Sequence, residues 1–218
     1  MYVQLELPEI TETPDRFSKH GIDLFFRRDG TPVPYHIYAI MVTYQRLVDA
    51  ALDEYRQART LTIRFWNDHQ SLQLGAVTRA AAYYESCLSN MHRATLCMVA
   101  IRKRTDMPPE LQKFFPIRPS FTTDRIADRI RAVRAAIQHI DGDILNGNIA
   151  INDYFVISAH GPVTPVPGEP GQTLLTVDRL KMGTHEIMFA DLCAWLTEMA
   201  QCAEKILQAR LRPQQQPP

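Results

Sequence analysis

The steadiest hydrophobic rhythm in the chain runs from Asp124 to Gly147. There Ile126, Ile130, Val133, Ile137, Ile140 and Ile144 recur at steps of 4, 3, 4, 3 and 4. A helix turns once in about 3.6 residues, so this spacing sets six aliphatic side chains on one face. A helix over 121–146 is predicted, with Thr122 or Thr123 as its cap, Asp124 at its positive end, and Gly142 and Gly147 bracketing its close. A second helical stretch follows Pro34, a suitable first-turn residue, and covers 34–66 with Ile37, Ile40, Met41, Tyr44, Leu47, Val48, Ala51, Leu52 and Tyr55 in phase. The segment LTIRFWNDH leaves open whether that helix continues or kinks and restarts near Asn67 or Ser71. A third, over 71–103, carries Leu74, Val77, Ala81, Tyr84, Leu88, Met91, Thr95, Met98 and Ile101 on a seam of the kind found in helix bundles. A fourth covers 189–211, with Leu192, Trp195, Leu196, Met199, Ala203, Ile206 and Leu207 on one side.

Between these stretches the pattern changes. Val3, Leu5 and Leu7 alternate, as does the run from Gly21 to Arg27, and Asp29-Gly30 supplies turn chemistry; together they predict a small N-terminal hairpin. Over 105–120 four prolines forbid a continuing helix and leave room for one turn at 110–114. In 148–188, the runs 153–158 and 172–177 are β-like and flank the proline-rich loop AHGPVTPVPGEPGQ, taken as mobile; they predict a decorated hairpin, with a third strand at 184–188. The tail 212–218 has a disordered composition. The fold class expected is mainly α: an antiparallel four-helix bundle in a single domain, 1–211, with small β-hairpin additions at the N-terminus and before the last helix.

Composition changes this picture little. In 218 residues, 24 basic side chains balance 24 acidic ones, so no net field draws the chain to nucleic acid or a membrane surface. Nineteen of the basic residues are Arg, a type suited to bidentate binding of phosphate, although genome composition produces the same bias. Cys87, Cys97, Cys193 and Cys202 lack metal-ligand or disulfide-framework spacing and read as buried thiols of a reducing compartment. The acidic opening MYVQLELPEITETPDR does not have the form of a signal peptide, and no apolar run approaches the ~20 residues of a membrane span. A cytoplasmic protein is expected.

The chemistry lies away from the Ile/Val face of 124–147. Arg131, Arg134 and Gln138 run there with His139 beside them, and Arg134 and His139 form the pattern R-x4-H. Arg64 and His69 repeat the spacing across two bulky aromatics and are set aside as coincidence. His92 and Arg93 flank the seam of the 71–103 helix and are candidates to line the same cleft. Trp66 and Trp195 read as core anchors and Tyr84 as packing. His160 and His185 lack ligand spacing, and there is no P-loop, no G-x-G-x-x-G and no H-E-x-x-H.

The segment VRAAIQHIDGDI, late on the third of four long helices, resembles the HEPN superfamily (higher-eukaryote and prokaryote nucleotide-binding helical domains). Members carry Arg, usually a polar residue next and most often Asn, three more residues, then His. The resemblance implies a metal-independent endoribonuclease without cofactor, often the toxin of a toxin–antitoxin pair. It further implies a homodimer with RNA as substrate and a cognate antitoxin or nucleotidyltransferase-like partner; nothing points to DNA. Arg134 and His139 would be catalytic, with Arg131, Gln138, His92 and Arg93 as candidate RNA-binding residues. The chemistry fits the residue types: His titrates near neutrality, and a guanidinium fork holds a phosphorane-like transition state with two hydrogen bonds. Five residues of helix separate Arg134 and His139 by roughly 140° around the axis and ~7.5 Å along it. Two copies crossing at a two-fold axis would bring both pairs into one cleft. Ala135 stands where Asn is usual. The alternative reading is therefore a non-catalytic HEPN-like bundle that binds a protein partner or RNA.

Overall fold

The computed structural model describes residues 1–11, 30–67, 74–103, 109–114, 117–148 and 156–214. Its elements are β1 (Tyr2–Leu5), β2 (Thr31–Val33), α1 (Tyr35–Asn67), α2 (Leu74–Lys103), α3 (Pro109–Phe114), α4 (Asp124–Leu145), β3 (Ser158–His160), β4 (Val163–Pro165), β5 (Thr173–Val177), β6 (Arg179–Met182), β7 (His185–Met188), α5 (Phe189–Gln208) and β8 (Leu211–Pro213). A 3-10 turn, Ser120–Thr122, precedes α4. The chain is mainly helical with small sheets, as its apolar spacing predicts. α1 runs unbroken through Arg64-Phe65-Trp66, which decides the question that the sequence left open. No helix among the described residues is long and apolar enough to cross a membrane.

Two compact units divide the chain. The first comprises Met1–Ile10, Glu54–Leu88 and Arg131–Ala194; the second comprises Thr11–Asp53, Ser89–Ile130 and Trp195–Pro218. In the first, β5 is the middle strand of a three-stranded sheet, parallel to β1 and antiparallel to β4. A second sheet has the order β3-β6-β7. Leu175, Val177, Leu180, Met182 and Ile187 are buried with Tyr55, Tyr84, Leu88, Phe189 and Leu192. Past β1 the chain has few strand partners, and α1 supplies side-chain donors instead. Tyr55 donates to the Pro8 carbonyl at 2.7 Å, Arg59 Nε to Leu7 at 2.9 Å and Arg56 Nη2 to Ile10 at 3.4 Å. These bonds give carbonyls that lack a strand partner a donor.

In the second unit the helical seams are buried as the spacing requires. Met41, Tyr44, Leu47, Val48, Met91, Met98, Leu196, Met199 and Ala203 are all out of solvent. Tyr44 donates to the Met199 carbonyl at 2.9 Å and Gln45 Nε2 to that of Ala203 at 3.2 Å. Glu198 accepts from the backbone N–H of Ser120 at 2.8 Å, from that of Phe121 at 3.3 Å, and from the Ser120 hydroxyl, which ties down the 3-10 turn. Arg129 stands 5.7 Å from the ring centre of Trp195, a cation–π contact that leaves Trp195 buried, as expected of an anchor.

The β pairing differs from expectation. The runs at 153–158 and 172–177 do not form one hairpin. β5 covers the second run and pairs with β1 and with β4, while Ser158, the only described strand residue of the first run, begins β3 and pairs with β6. The proline-rich segment, expected as a mobile loop, contains β4 and a chain of turn bonds from Val166 to Gln172. The expected strand at 21–27 lies outside the described residues, so the N-terminal hairpin has no described partner strand; β1 finds its partner some 170 positions on. Arg212 and Pro213, assigned by composition to a disordered tail, lie in β8, which pairs parallel to β2. Arg210, at φ 46°, turns the chain out of α5, and its carbonyl accepts from Thr31 at 3.0 Å.

Candidate functional site

α4 positions the R-x4-H pair. Thr123 precedes it with extended backbone, and its carbonyl accepts from Ile126 and Ala127 at 3.1 and 2.9 Å. The threonine hydroxyls, expected as caps, donate backwards: Thr123 to the Ser120 carbonyl at 2.6 Å and Thr122 to that of Pro119 at 2.7 Å. Gly142 does not end the helix. The close comes at Gly147, in left-handed conformation (φ 67°), with Gly147 N–H bonded to Ile144 and Asn148 N–H to Asp143 at 3.2 and 2.9 Å. That is a Schellman close, in which glycine carries no steric penalty.

The apolar face of α4 is buried only in part. Ile130 and Val133 are out of solvent, Ile126, Ile137 and Ile140 are half-buried, and Ile144 and Leu145 are 51% and 86% exposed. Arg134 lies about 80° from the centre of that stripe, at its margin rather than opposite it. It is half-buried, and its Nε–H is shielded from water with no hydrogen-bond acceptor among the described residues. An orphaned buried donor costs roughly 1–3 kcal/mol, a cost that any hydrogen-bond acceptor reaching it would offset. The outer-face setting expected for Arg134 is therefore corrected: the 3.6 period places it next to Ile130 and Ile137. Arg131 and Gln138 are exposed and lie about 60° or less from Arg134 around the axis, forming one polar stripe with it. His139 is exposed and stands about 140° from Arg134, so one helix does not bring the pair together. Asp141 is exposed. Ala135, following Arg134, offers neither donor nor acceptor.

His92, half-buried, and Arg93, exposed, lie on α2 in the second unit, whereas residues 131–145 of α4 belong to the first. Among the described residues no three His, Cys, Asp or Glu side chains are placed to hold a metal ion. The four cysteines are free thiols. Burial raises the pKa of each above the ordinary thiol range, Cys202 to about 11, which makes them poor nucleophiles.

Sequence reasoning missed a second concavity, in the first unit. Residues from the end of α1, the start of α2 and β3 border a cavity of about 240 Å³. Its lining includes Trp66, Tyr84, Ser158 and His160. Trp66, expected as a core anchor, is only half-buried and lines this space. The lining joins two neighbouring helix ends to a strand far along the chain, so no local motif announced it. Set beside known proteins, the chain matches no protein-family model, no curated protein and no solved structure.

Proposed function

We propose that the chain is a HEPN-like antiparallel four-helix bundle that cleaves RNA without a metal, at a composite site formed by Arg134 and His139 of two copies. The observation that carries this reading is the guanidinium of Arg134, which holds a water-shielded Nε–H with no acceptor among the described residues. A phosphate oxygen is the ligand that such a donor suits. Arg131 and Gln138, on the same stripe and exposed, extend the contact along the RNA backbone. The exposed Ile144 and Leu145 beyond the half-buried Ile137 and Ile140 supply an apolar margin on which a second α4 can pack. A two-fold contact there answers the 140° separation, since Arg134 of one copy then meets His139 of the partner subunit.

In the proposed reaction His139 takes the proton of a ribose 2′-hydroxyl, and the 2′-oxygen attacks the adjacent phosphorus. The bond from phosphorus to the 5′-oxygen breaks, that oxygen takes a proton from water, and His139 gives up the proton it holds to solvent. The products are a 2′,3′-cyclic phosphate and a 5′-hydroxyl, so atoms and charge balance. Arg134 neutralises the charge that gathers on the non-bridging oxygens.

Ala135 favours a second reading, in which the same face binds RNA or a protein partner without chemistry. The two readings separate in an RNA-cleavage assay in EDTA. The first predicts cleavage by the unmodified chain and a loss of about 10²-fold or more in His139→Ala and Arg134→Ala. Equal activity in all three removes the site; no cleavage of varied RNAs by any of them leaves the binding reading.

A further inference from the structure

The cavity in the first unit has the composition of a ligand site. Thr62, Phe65 and Trp66 line it from α1 at steps of three and one, and Val77, Ala81 and Tyr84 from α2 at steps of four and three. Each trio marks one helical face. β3 borders the space, and among the described residues no Asp, Glu, Lys or Arg contributes to the lining. At about 240 Å³ the cavity exceeds the ~150 Å³ that takes up benzene, yet falls short of pockets for drug-sized compounds. Phe65 and Trp66 stand edge to face, ring centres 5.0 Å apart, and present the arrangement in which a further ring adds favourably. The small side chains Val77, Ala80 and Ala81 leave room beside them.

Polar groups are few and neutral. Thr62 donates its proton to the Ala58 carbonyl at 2.9 Å, so the 3.1 Å contact to Tyr84 uses the phenolic proton. Ser158 Oγ is shielded from water and has no hydrogen-bond partner among the described residues. His160, two residues on and so on the same side of β3, is kept neutral more readily than an ordinary imidazole, first by burial and then by Lys181. Gly161 follows because a side chain there would collide with the Thr176 carbonyl; glycine lets the strand end run close beneath β5.

We infer that this cavity binds a neutral aromatic compound of one or two rings, bearing one hydroxyl or carbonyl that meets Ser158 or His160. A charged ligand is disfavoured because no Asp, Glu, Lys or Arg among the described lining residues pairs its charge. The site stands apart from the R-x4-H reading and does not depend on it.

The test uses the full chain and 2-naphthol, with 2-naphthoate as the charged counterpart, in titration calorimetry. The expected result is saturable binding of 2-naphthol and binding of 2-naphthoate weaker by roughly tenfold or more. Val77→Trp, which fills the space, is expected to abolish binding while its circular dichroism stays that of the unmodified chain. Nuclear Overhauser contacts from the naphthol ring to the Val77, Ala80 and Ala81 methyls of the unmodified chain place the ligand even if the filled variant fails to fold. Absence of 2-naphthol binding, equal affinity for the carboxylate, unchanged binding by a folded Val77→Trp, or contacts to other methyls each overturns the inference.

Discussion

Two side chains show how far burial changes what a residue can do. Arg134 stands at the margin of the apolar stripe, where it is half-buried and its Nε–H is shielded from water with no acceptor among the described residues. His160 shows the converse, an imidazole held neutral by its surroundings. Burial first and Lys181 second lower its folded pKa below the unfolded value of about 6.5. As pH falls, the unfolded chain therefore binds the proton before the folded one. The contribution of His160 to stability is present above about pH 6.5 and is lost as pH falls toward the folded pKa. Urea denaturation at a series of pH values is expected to show stability falling across that window, with a shallower fall in His160→Gln. Equal slopes for the two proteins would place the histidine in ordinary solvent.

Among the elements, α4 is where the sequence was most regular and the structure least expected. Its steps of 4 and 3 announce a helix whatever surrounds it, and Asp124–Leu145 is helical. Periodicity specifies which side chains share a face, not how much of that face the rest of the chain covers, so the exposure of Ile144 and Leu145 was not readable. The end of α4 depends on Gly147, where a side chain meets no neighbour within 4 Å but the backbone is left-handed. Gly147→Ala is expected to cost about 1 kcal/mol, the steric penalty of that conformation alone. A denaturation midpoint unchanged within error would show that the helix end rearranges freely. Strands were harder to read than helices, for a related reason. Leu174, Leu175 and Val177 mark β5 locally, yet its partners are β1, some 170 residues earlier, and β4, inside a segment with four prolines. Alternation identifies a strand, whereas the choice of partner is made by distant contacts that leave no local trace. β8 escaped notice because Arg212 and Pro213 have the composition of a tail, and the buried Leu211 before them reads as the end of the last helix.

Over the whole molecule, two compact units each bring a different chemistry. The second is a buried helical core with the β2–β8 pair, tied at its 3-10 turn by Glu198, while the first carries the two three-stranded sheets, the aromatic cavity and the part of α4 that holds Arg134 and His139. The R-x4-H spacing was legible from the sequence; the orphaned donor of Arg134 was not, because it depends on burial. The cavity was illegible altogether, since 157–160 meets 62–66 and 74–84 only in three dimensions. Since one α4 keeps Arg134 and His139 about 140° apart, the proposed chemistry belongs to two chains or to none. Mixing the inactive variants decides this. Arg134→Ala and His139→Ala, unfolded together and refolded so that subunits exchange, are combined and assayed for RNA cleavage in EDTA. A shared cleft predicts that the mixture regains activity that neither variant has alone, because a mixed dimer keeps one Arg134 and one His139 from opposite subunits. If the unmodified chain cleaves RNA and the exchanged mixture stays as inactive as its components, the composite site is wrong.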